Sequence, residues 1–388
     1  MDQLINNART AFAPLIGYAK LMRYAMRGQD LNPVAAGLLR RVLHEPNDVH
    51  AALDYSIVLQ LTGQPAIAML MQQRALDRQV CYSRLAGPLK LLVVMGPGEL
   101  MWNTPVELLL EDADITIHTL YLTHDHPWPD ALPEHDVLFV AIAESRGNHS
   151  LLMRLAQITE HWERPVINRP QRIAALTRDA TSALLSGVPG LRVPSTSRVG
   201  RDVLMHCDFF PFIARPLDSH AGRDLVCLED ARQIAAYLVE VADEQFYVSP
   251  FVDYRSADGL YRKYRVVLIQ GQTFLGHMAI SSHWLVHYLN AGMDESADKR
   301  AEEAACMDSF DTGFAARHAA ALQELNQRIG LDYLVIDCAE LAGGELLIFE
   351  VGTAMAVHSM DDAALYPYKQ PAMQKIFSAF QSMLEGYL

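Results

Sequence analysis

Four short β-rich runs, LKLLVVM (89–95), ITIHTLYL (115–122), DVLFVAIA (136–143) and RPVIN (164–168), constrain the fold most, because helical segments at 105–111 and 149–162 fill two of the gaps between them. Strands alternating with helices pair in parallel, so this stretch predicts a small doubly wound α/β layer. Its first turn, MGPGELMWNTPVE, follows a strand at the carboxyl end, where open α/β sheets bind ligands. The turn is not GxGxxG and gives no dinucleotide site; Thr104-Pro105 reads as a helix start with proline in its first turn.

The preceding 87 residues are helical in pattern, and Gly87-Pro88 breaks that pattern. Within them Ala52, Leu59, Gly63, Ala68 and Ala75, with Pro46 just before, fall at offsets that resemble a tetratricopeptide helix-turn-helix unit. A free-standing stack needs about three such repeats, so this piece is expected to pack on the rest of the chain. Two roles stay open for it, a docking surface and a helical cap on its neighbour.

Beyond residue 177 a helix (178–186) leads into the strand-rich runs FPFIARP, EQFYVSPFV and YRKYRVVLIQGQTFLGHMAIS, then a long helix (297–329) and a final helix from Pro371. Between the last two lies LDYLVIDCAELAGGELLIFEVGTAM (331–355), two apolar runs that each end on an acid. If Gly343-Gly344 is a two-residue turn, opposed residues have numbers summing to 687, and Asp337 faces Glu350. Carboxylates so opposed, with Cβ atoms roughly 4.5–5.5 Å apart, repel unless a cation separates them. A divalent ion such as Mg²⁺ is one answer, and a different register that leaves both acids in water is the other.

The 388 residues suffice for two or three domains, and 51% hydrophobic residues supply their cores. A net charge of -14, from 46 acids against 32 Lys and Arg, argues against broad phosphate neutralisation and hence against a nucleic-acid partner. The five cysteines (Cys81, Cys207, Cys227, Cys306, Cys338) never fall as CxxC, which suggests neither a disulfide framework nor a zinc site. The opening MDQLINNART lacks the order of a secretory leader, and no apolar run reaches membrane-spanning length, so a cytoplasmic protein with no membrane partner is expected.

Four segments in order resemble the ATP-grasp ligases, in particular the branch of glutathione synthetase and the ribosomal-protein glutamate ligases. INRPQRIAALTRDATSALLSGVPGLRVPST is similar to the passage into the nucleotide domain, with Arg178 near an ATP-binding cation. PFIARPLDSHAGRDL resembles a strand and flexible lid: Arg215 stands where the family usually has Lys, and Ser219, His220, Ala221, Gly222 and Arg223 form the loop over the phosphates. EQFYVSPFVDY looks like the hinge that binds adenine, hence Tyr247, Val248 and Ser249, and in YRKYRVVLIQGQ Arg265 and Lys263 match basic residues at the transferred phosphate. In the acidic hairpin, Asp337 and Glu350 match two Mg²⁺ ligands.

The resemblance runs from about residue 89 onward. It implies an α/β chain with the ATP-grasp arrangement behind an N-terminal all-α helical-repeat segment: 1–87 helical, 88–175 a doubly wound domain, and 176–388 the ATP-grasp domain, with a lid at about 190–247 and a large subdomain at 248–388. It also implies ATP and Mg²⁺ as cofactors and ligation of a small-molecule or peptide carboxylate to an amine or thiol through an acyl phosphate. Two departures stand out. Gly352 replaces the usual third metal ligand, Asn, leaving Thr353 or water to fill the place, and Arg215 exchanges a compact ammonium for a planar fork. They favour an alternative, a nucleotide-binding pseudoenzyme or regulatory scaffold whose helical N-terminus binds a protein partner. A cluster of His277, His283, Trp284, His287, Tyr288, Asn290 and His358 offers substrate contacts; His283 and His287, four apart, would share a helix face.

Overall fold

The computed structural model describes residues 12–219 and 222–387. Their chain folds as two compact units: the described residues up to Ala174 together with those from Thr353 on, and Ala175–Gly352. The architecture is mixed α/β with an all-α segment at its start, as expected.

The first unit begins with four helices, α1 (Tyr18–Met26), α2 (Asn32–His44), α3 (Val49–Leu61) and α4 (Pro65–Leu76). Nearly every side of α3 is apolar, so it is the buried member, and Val49, Leu53, Ile57 and Val58 anchor a core shared with Leu21, Leu38 and Val42. Asp48 caps it by accepting the Ala51 N–H at 2.9 Å. Of the tetratricopeptide-like positions, Ala52, Leu59, Ala68 and Ala75 are buried, and Gly63 adopts φ +76° in the turn between α3 and α4.

Next come β1 (Cys81–Arg84), β2 (Leu89–Met95), α5 (Val106–Leu109), β3 (Ile115–Tyr121), β4 (Val137–Val140), α6 (His149–Ile158), β5 (Val166–Ile167) and α7 (Pro170–Ala174). The sheet order is β1-β3-β2-β4-β5. All its pairs are parallel except β1 on β3, an antiparallel edge that the helical reading of residues 1–87 passed over.

The second unit comprises α8 (Arg178–Leu185), β6 (Leu191–Arg192), β7 (Ser197–Gly200), α9 (Arg201–Leu204), β8 (Phe212–Pro216), β9 (Val226–Leu228), α10 (Ala231–Glu240), β10 (Gln245–Pro250), β11 (Tyr261–Ile269), β12 (Gln272–Ser281), α11 (Ala297–Asp308), α12 (Phe314–Ile329), β13 (Tyr333–Glu340) and β14 (Leu346–Gly352). Two sheets result, an antiparallel β7-β10-β8-β9 and a larger β12-β11-β13-β14-β6. In the smaller sheet Phe212, Ala214, Phe246 and Val248 face a core with Ile234, Tyr237 and Leu238 of α10.

The long helix expected over 297–329 is two helices, α11 and α12. Ser309 turns its hydroxyl back onto the Ala305 carbonyl at 2.7 Å, and the Gly313 N–H meets the Ser309 carbonyl at 2.7 Å, where an added Cβ would approach that oxygen to 2.8 Å. The last helix, α13 (Lys369–Glu385), packs in the first unit with Phe380 against Phe139 at 5.6 Å between ring centres. The stretch from Thr353 on, His358 included, therefore folds with the first unit rather than with the residues it follows.

Candidate functional site

A single row of side chains crosses the larger sheet of the second unit. His277 of β12 is paired with Arg265 of β11, Arg265 with Asp337 of β13, and Asp337 with Glu350 of β14. Register shifts follow directly after Arg265 and after Asp337, so a β-bulge adjoins the row on each side. Such bulges re-aim side chains and are common beside binding sites.

The expected opposition of Asp337 and Glu350 is present, but by a different route. The connection is a three-residue loop with Gly344 left-handed at φ +84°, closed by the Gly344 N–H on the Leu341 carbonyl (2.8 Å) and the Leu341 N–H on the Glu345 carbonyl (2.9 Å). Its register pairs Glu340 with Leu346 and Cys338 with Ile348. That register alone would set Asp337 against Phe349; the bulge moves it to Glu350.

The chain itself supplies the cations. Arg265 donates from Nε to Asp337 Oδ1 at 2.9 Å and from Nη2 to Oδ2 at 3.1 Å, and Lys263, two residues away on the same face, holds Oδ2 at 2.7 Å. Asp337 is 2% exposed. Burial alone would raise its pKa, but Arg265 and Lys263 hold it well below the usual carboxylate range. Arg178, at the start of α8, donates Nη2 to Glu350 Oε1 at 2.5 Å and Nη1 to the Phe349 carbonyl at 3.4 Å. Against the upward push of burial, Arg178 and then Arg215 keep Glu350 below its ordinary value.

Arg215 arrives from the smaller sheet. It lies on β8 opposite Tyr247 of β10, on the face turned away from the α10 core. It is 8% exposed, and its guanidinium donates to the Ser219 hydroxyl (3.1 Å) and the Ser219 carbonyl. Among the described residues it pairs with no carboxylate. Burial and the neighbouring Arg178 push its pKa down to about 9, against a weaker upward pull from Glu350. Four cations (Arg178, Arg215, Lys263, Arg265) thus gather around two carboxylates.

Other expected residues divide. The Tyr247 ring lies under the Arg198 guanidinium at 5.5 Å, Val248 turns into the core of the smaller sheet, and Ser249 follows on the Tyr247 side of the strand. Gly222 takes φ +75°, while Arg223 is exposed and meets Asp224 at 3.6 Å; His220 and Ala221 lie outside the described residues. Burial, then Lys263 and Arg265, lower the His287 pKa, which places that imidazole in the field of the cluster.

His283 and His287 share no helix. The segment is irregular and ends in a 3₁₀ turn (Tyr288–Asn290), with Asn290 Oδ1 accepting the His287 N–H at 3.0 Å and His283 exposed. His358 accepts the Met360 N–H in the other unit at 3.3 Å.

Sequence reasoning missed Glu303 of α11. Wholly buried, it accepts the Met278 N–H at 3.0 Å and the Tyr288 hydroxyl at 2.9 Å, while the Tyr288 ring lies 4.7 Å from that of His277. In the charged run ADKRAEEAACMD nothing separates this acid from its solvated neighbours. Among the described residues no three His, Cys, Asp or Glu side chains gather as a metal cluster, and no helix is long and apolar enough to cross a membrane.

No protein-family model matches the chain, and no curated protein does. Among solved structures it is similar to VanG D-Ala:D-Ser ligase from Enterococcus faecalis (14% identity, 77% of this chain and 99% of that chain covered, TM-score 0.49). It is also similar to a RimK domain protein ATP-grasp from Sphaerobacter thermophilus (13%, 76% and 99%, 0.45) and to D-alanine–D-alanine ligase from Bacillus anthracis complexed with ATP (12%, 77% and 99%, 0.45).

Proposed function

We propose that the second unit binds ATP between its two sheets and that the chain is an ADP-forming ligase, joining a carboxylate to an amine or thiol through an acyl phosphate. The observation that carries this reading is Arg215, a buried guanidinium with no carboxylate partner among the described residues, set beside Arg178. A cation in that setting is costly unless an anion arrives. A triphosphate supplies several charges at once, and Arg178, Arg215, Lys263 and Arg265 are the groups that bind it. Ser219, Gly222 and Arg223 lie toward the phosphates, and residues 247–249 take the base along the β10 backbone. Positioning and charge stabilisation are most of what phosphoryl transfer asks of a protein.

Mg²⁺ fits the donor set in part. Asp337 and Glu350 offer hard carboxylate oxygens from adjacent strands, and Mg²⁺ commonly completes its shell with phosphates and water. Bound there, it would offset charge on the transferring phosphoryl group. Arg265 and Lys263 now occupy both Asp337 oxygens, while Glu350 gives one oxygen to Arg178, so ATP binding has to redistribute these cations toward the phosphates.

That same saturation of Asp337, together with Gly352, favours the second reading, a nucleotide-binding regulator without turnover whose helical N-terminus docks a protein. The deciding experiment combines ATP, Mg²⁺ and a panel of carboxylates with hydroxylamine. A hydroxamate, with oxygen-18 passing from the carboxylate to the released phosphate, is expected. Tight ATP binding with no ADP formed from any acid would leave the regulator.

A further inference from the structure

The first unit holds a cavity of about 70 Å³ that the reading above does not use. One wall is a face of the central sheet, where Tyr82 of β1, Thr119 of β3 and Val93 of β2 lie in register. The facing wall is helical, and the rim is the turn after β2, where Gln72 of α4 accepts the Gly98 N–H at 2.7 Å and donates to the Gly98 carbonyl at 3.1 Å.

Three carboxylates line the space, and two of them, Asp54 and Glu107, are bonded inside it while Glu99 is exposed. Asp54 of α3 accepts the N–H groups of Ile16 (2.7 Å) and Gly17 (3.1 Å), and Glu107 of α5 accepts that of Ala19 (3.3 Å). Together they satisfy the start of α1, whose Gly17 cap has no side chain to do so. Yet among the described residues neither forms an ion pair and no Lys, Arg or His lines the cavity. Independently, the hydroxyls of Tyr82 (3% exposed) and Thr104 (1% exposed), both on the cavity wall, have no hydrogen-bond partner among the described residues. Tyr82 interacts electrostatically with both Asp54 and Tyr121, so its hydroxyl belongs with the acids.

A buried hydroxyl without a partner is costly, and so is a buried carboxylate with no ion pair, acted on by cations only at longer range, Arg41 at Asp54 and Arg84 at Glu107. Burial accordingly pushes Asp54 up to about 6 and raises Glu107. Both deficits have one remedy, a ligand with several N–H donors and a positive charge.

We propose that this cavity binds a small primary ammonium compound, its three N–H groups shared among Asp54, Glu107 and the Tyr82 and Thr104 oxygens. Leu53, Ile57, Val93 and Ile117 take an apolar body of a few carbons. The volume is well under the roughly 150 Å³ that accommodates benzene, and the absence of basic side chains from the lining excludes carboxylates and phosphates. The site stands apart from the ATP reading and is tested without nucleotide.

The test is calorimetry on the full chain at pH 7.5 with propylammonium, using propionate and potassium as controls. Tyr82→Phe and Thr104→Val remove hydroxyls that bond to nothing else, so both variants should keep the fold. One-site binding of propylammonium, weakened about tenfold in each variant as for a charge-assisted hydrogen bond, with no heat from propionate, is the expected result. No propylammonium binding, unchanged binding in both variants, or potassium binding as tight as propylammonium overturns the proposal.

Discussion

Arg265 and Asp337 stand directly opposite across β11 and β13, and two parallel hydrogen bonds, 2.9 and 3.1 Å, join them in a fork. A pair this buried leaves a stranded charge when one member is lost. Asp337→Asn should destabilise the second unit by about 3–5 kcal/mol in urea unfolding. Replacing all three charges together, Lys263→Met, Arg265→Met and Asp337→Leu, should cost much less. Equal losses in the single and triple variants would mean that packing, not charge, holds the two strands.

Arg215 should behave oppositely. Its guanidinium keeps its proton at any ordinary pH, so the burial that pushes its pKa down to about 9 falls on the folded state as lost stability. Arg215→Met, which retains most of the volume, should raise the melting temperature while weakening ATP binding by about 1–3 kcal/mol. Differential scanning fluorimetry with and without ATP reads both effects. A lower melting temperature together with unchanged ATP affinity would remove Arg215 from the site.

Asp54 sets a pH dependence of unusual sign. Its folded pKa, raised to about 6 by burial against the weaker pull of the Ile16 and Gly17 N–H groups, lies above the ordinary value near 4. Between those values the folded state binds more protons than the unfolded one, so this group's contribution falls as pH rises from about 4 through 6. A shift of two units corresponds to about 3 kcal/mol. Asp54→Asn should flatten this limb, and the comparison is of melting temperatures at pH 4.5 and pH 7 in wild type and variant. Parallel pH profiles in the two would refute the assignment.

The alternation of apolar strands and helices from Leu89 on was legible because it is periodic, and the parallel pairing of β2, β3, β4 and β5 accords with it, while their order is a feature of the structure alone. Asp337 facing Glu350 was legible only by compensation: the loop is one residue longer than the turn assumed for Gly343-Gly344, and a bulge beside Asp337 restores the offset. Bulges arise from the demands of a whole sheet and leave no local signature. Glu303 was hidden for a related reason, since its burial depends on β12 and Tyr288, distant in sequence. Nor could the sequence reveal that Arg265 and Lys263 both pair with Asp337, because strand pairing alone brings β11 beside β13.

The vacancy at Gly352 separates the two functional readings. Gly352 lies two residues beyond Glu350 on β14, so a side chain there would share the Glu350 face. With Asp337 and Glu350 as the two carboxylate donors, Mg²⁺ should bind only with ATP, and Glu350→Gln should abolish the Mg²⁺ dependence of ATP affinity while leaving metal-free ATP binding nearly unchanged. Gly352→Asn adds a neutral oxygen and should tighten Mg²⁺ in the ATP complex. The measurement is a Mg²⁺ titration of ATP binding by calorimetry, with chelator-treated protein as the zero point. A wild type indifferent to Mg²⁺ beside a Gly352→Asn variant that responds would show that Arg265 and Lys263 have taken over the metal's charge-balancing place at Asp337, and the regulator reading would then replace the ligase.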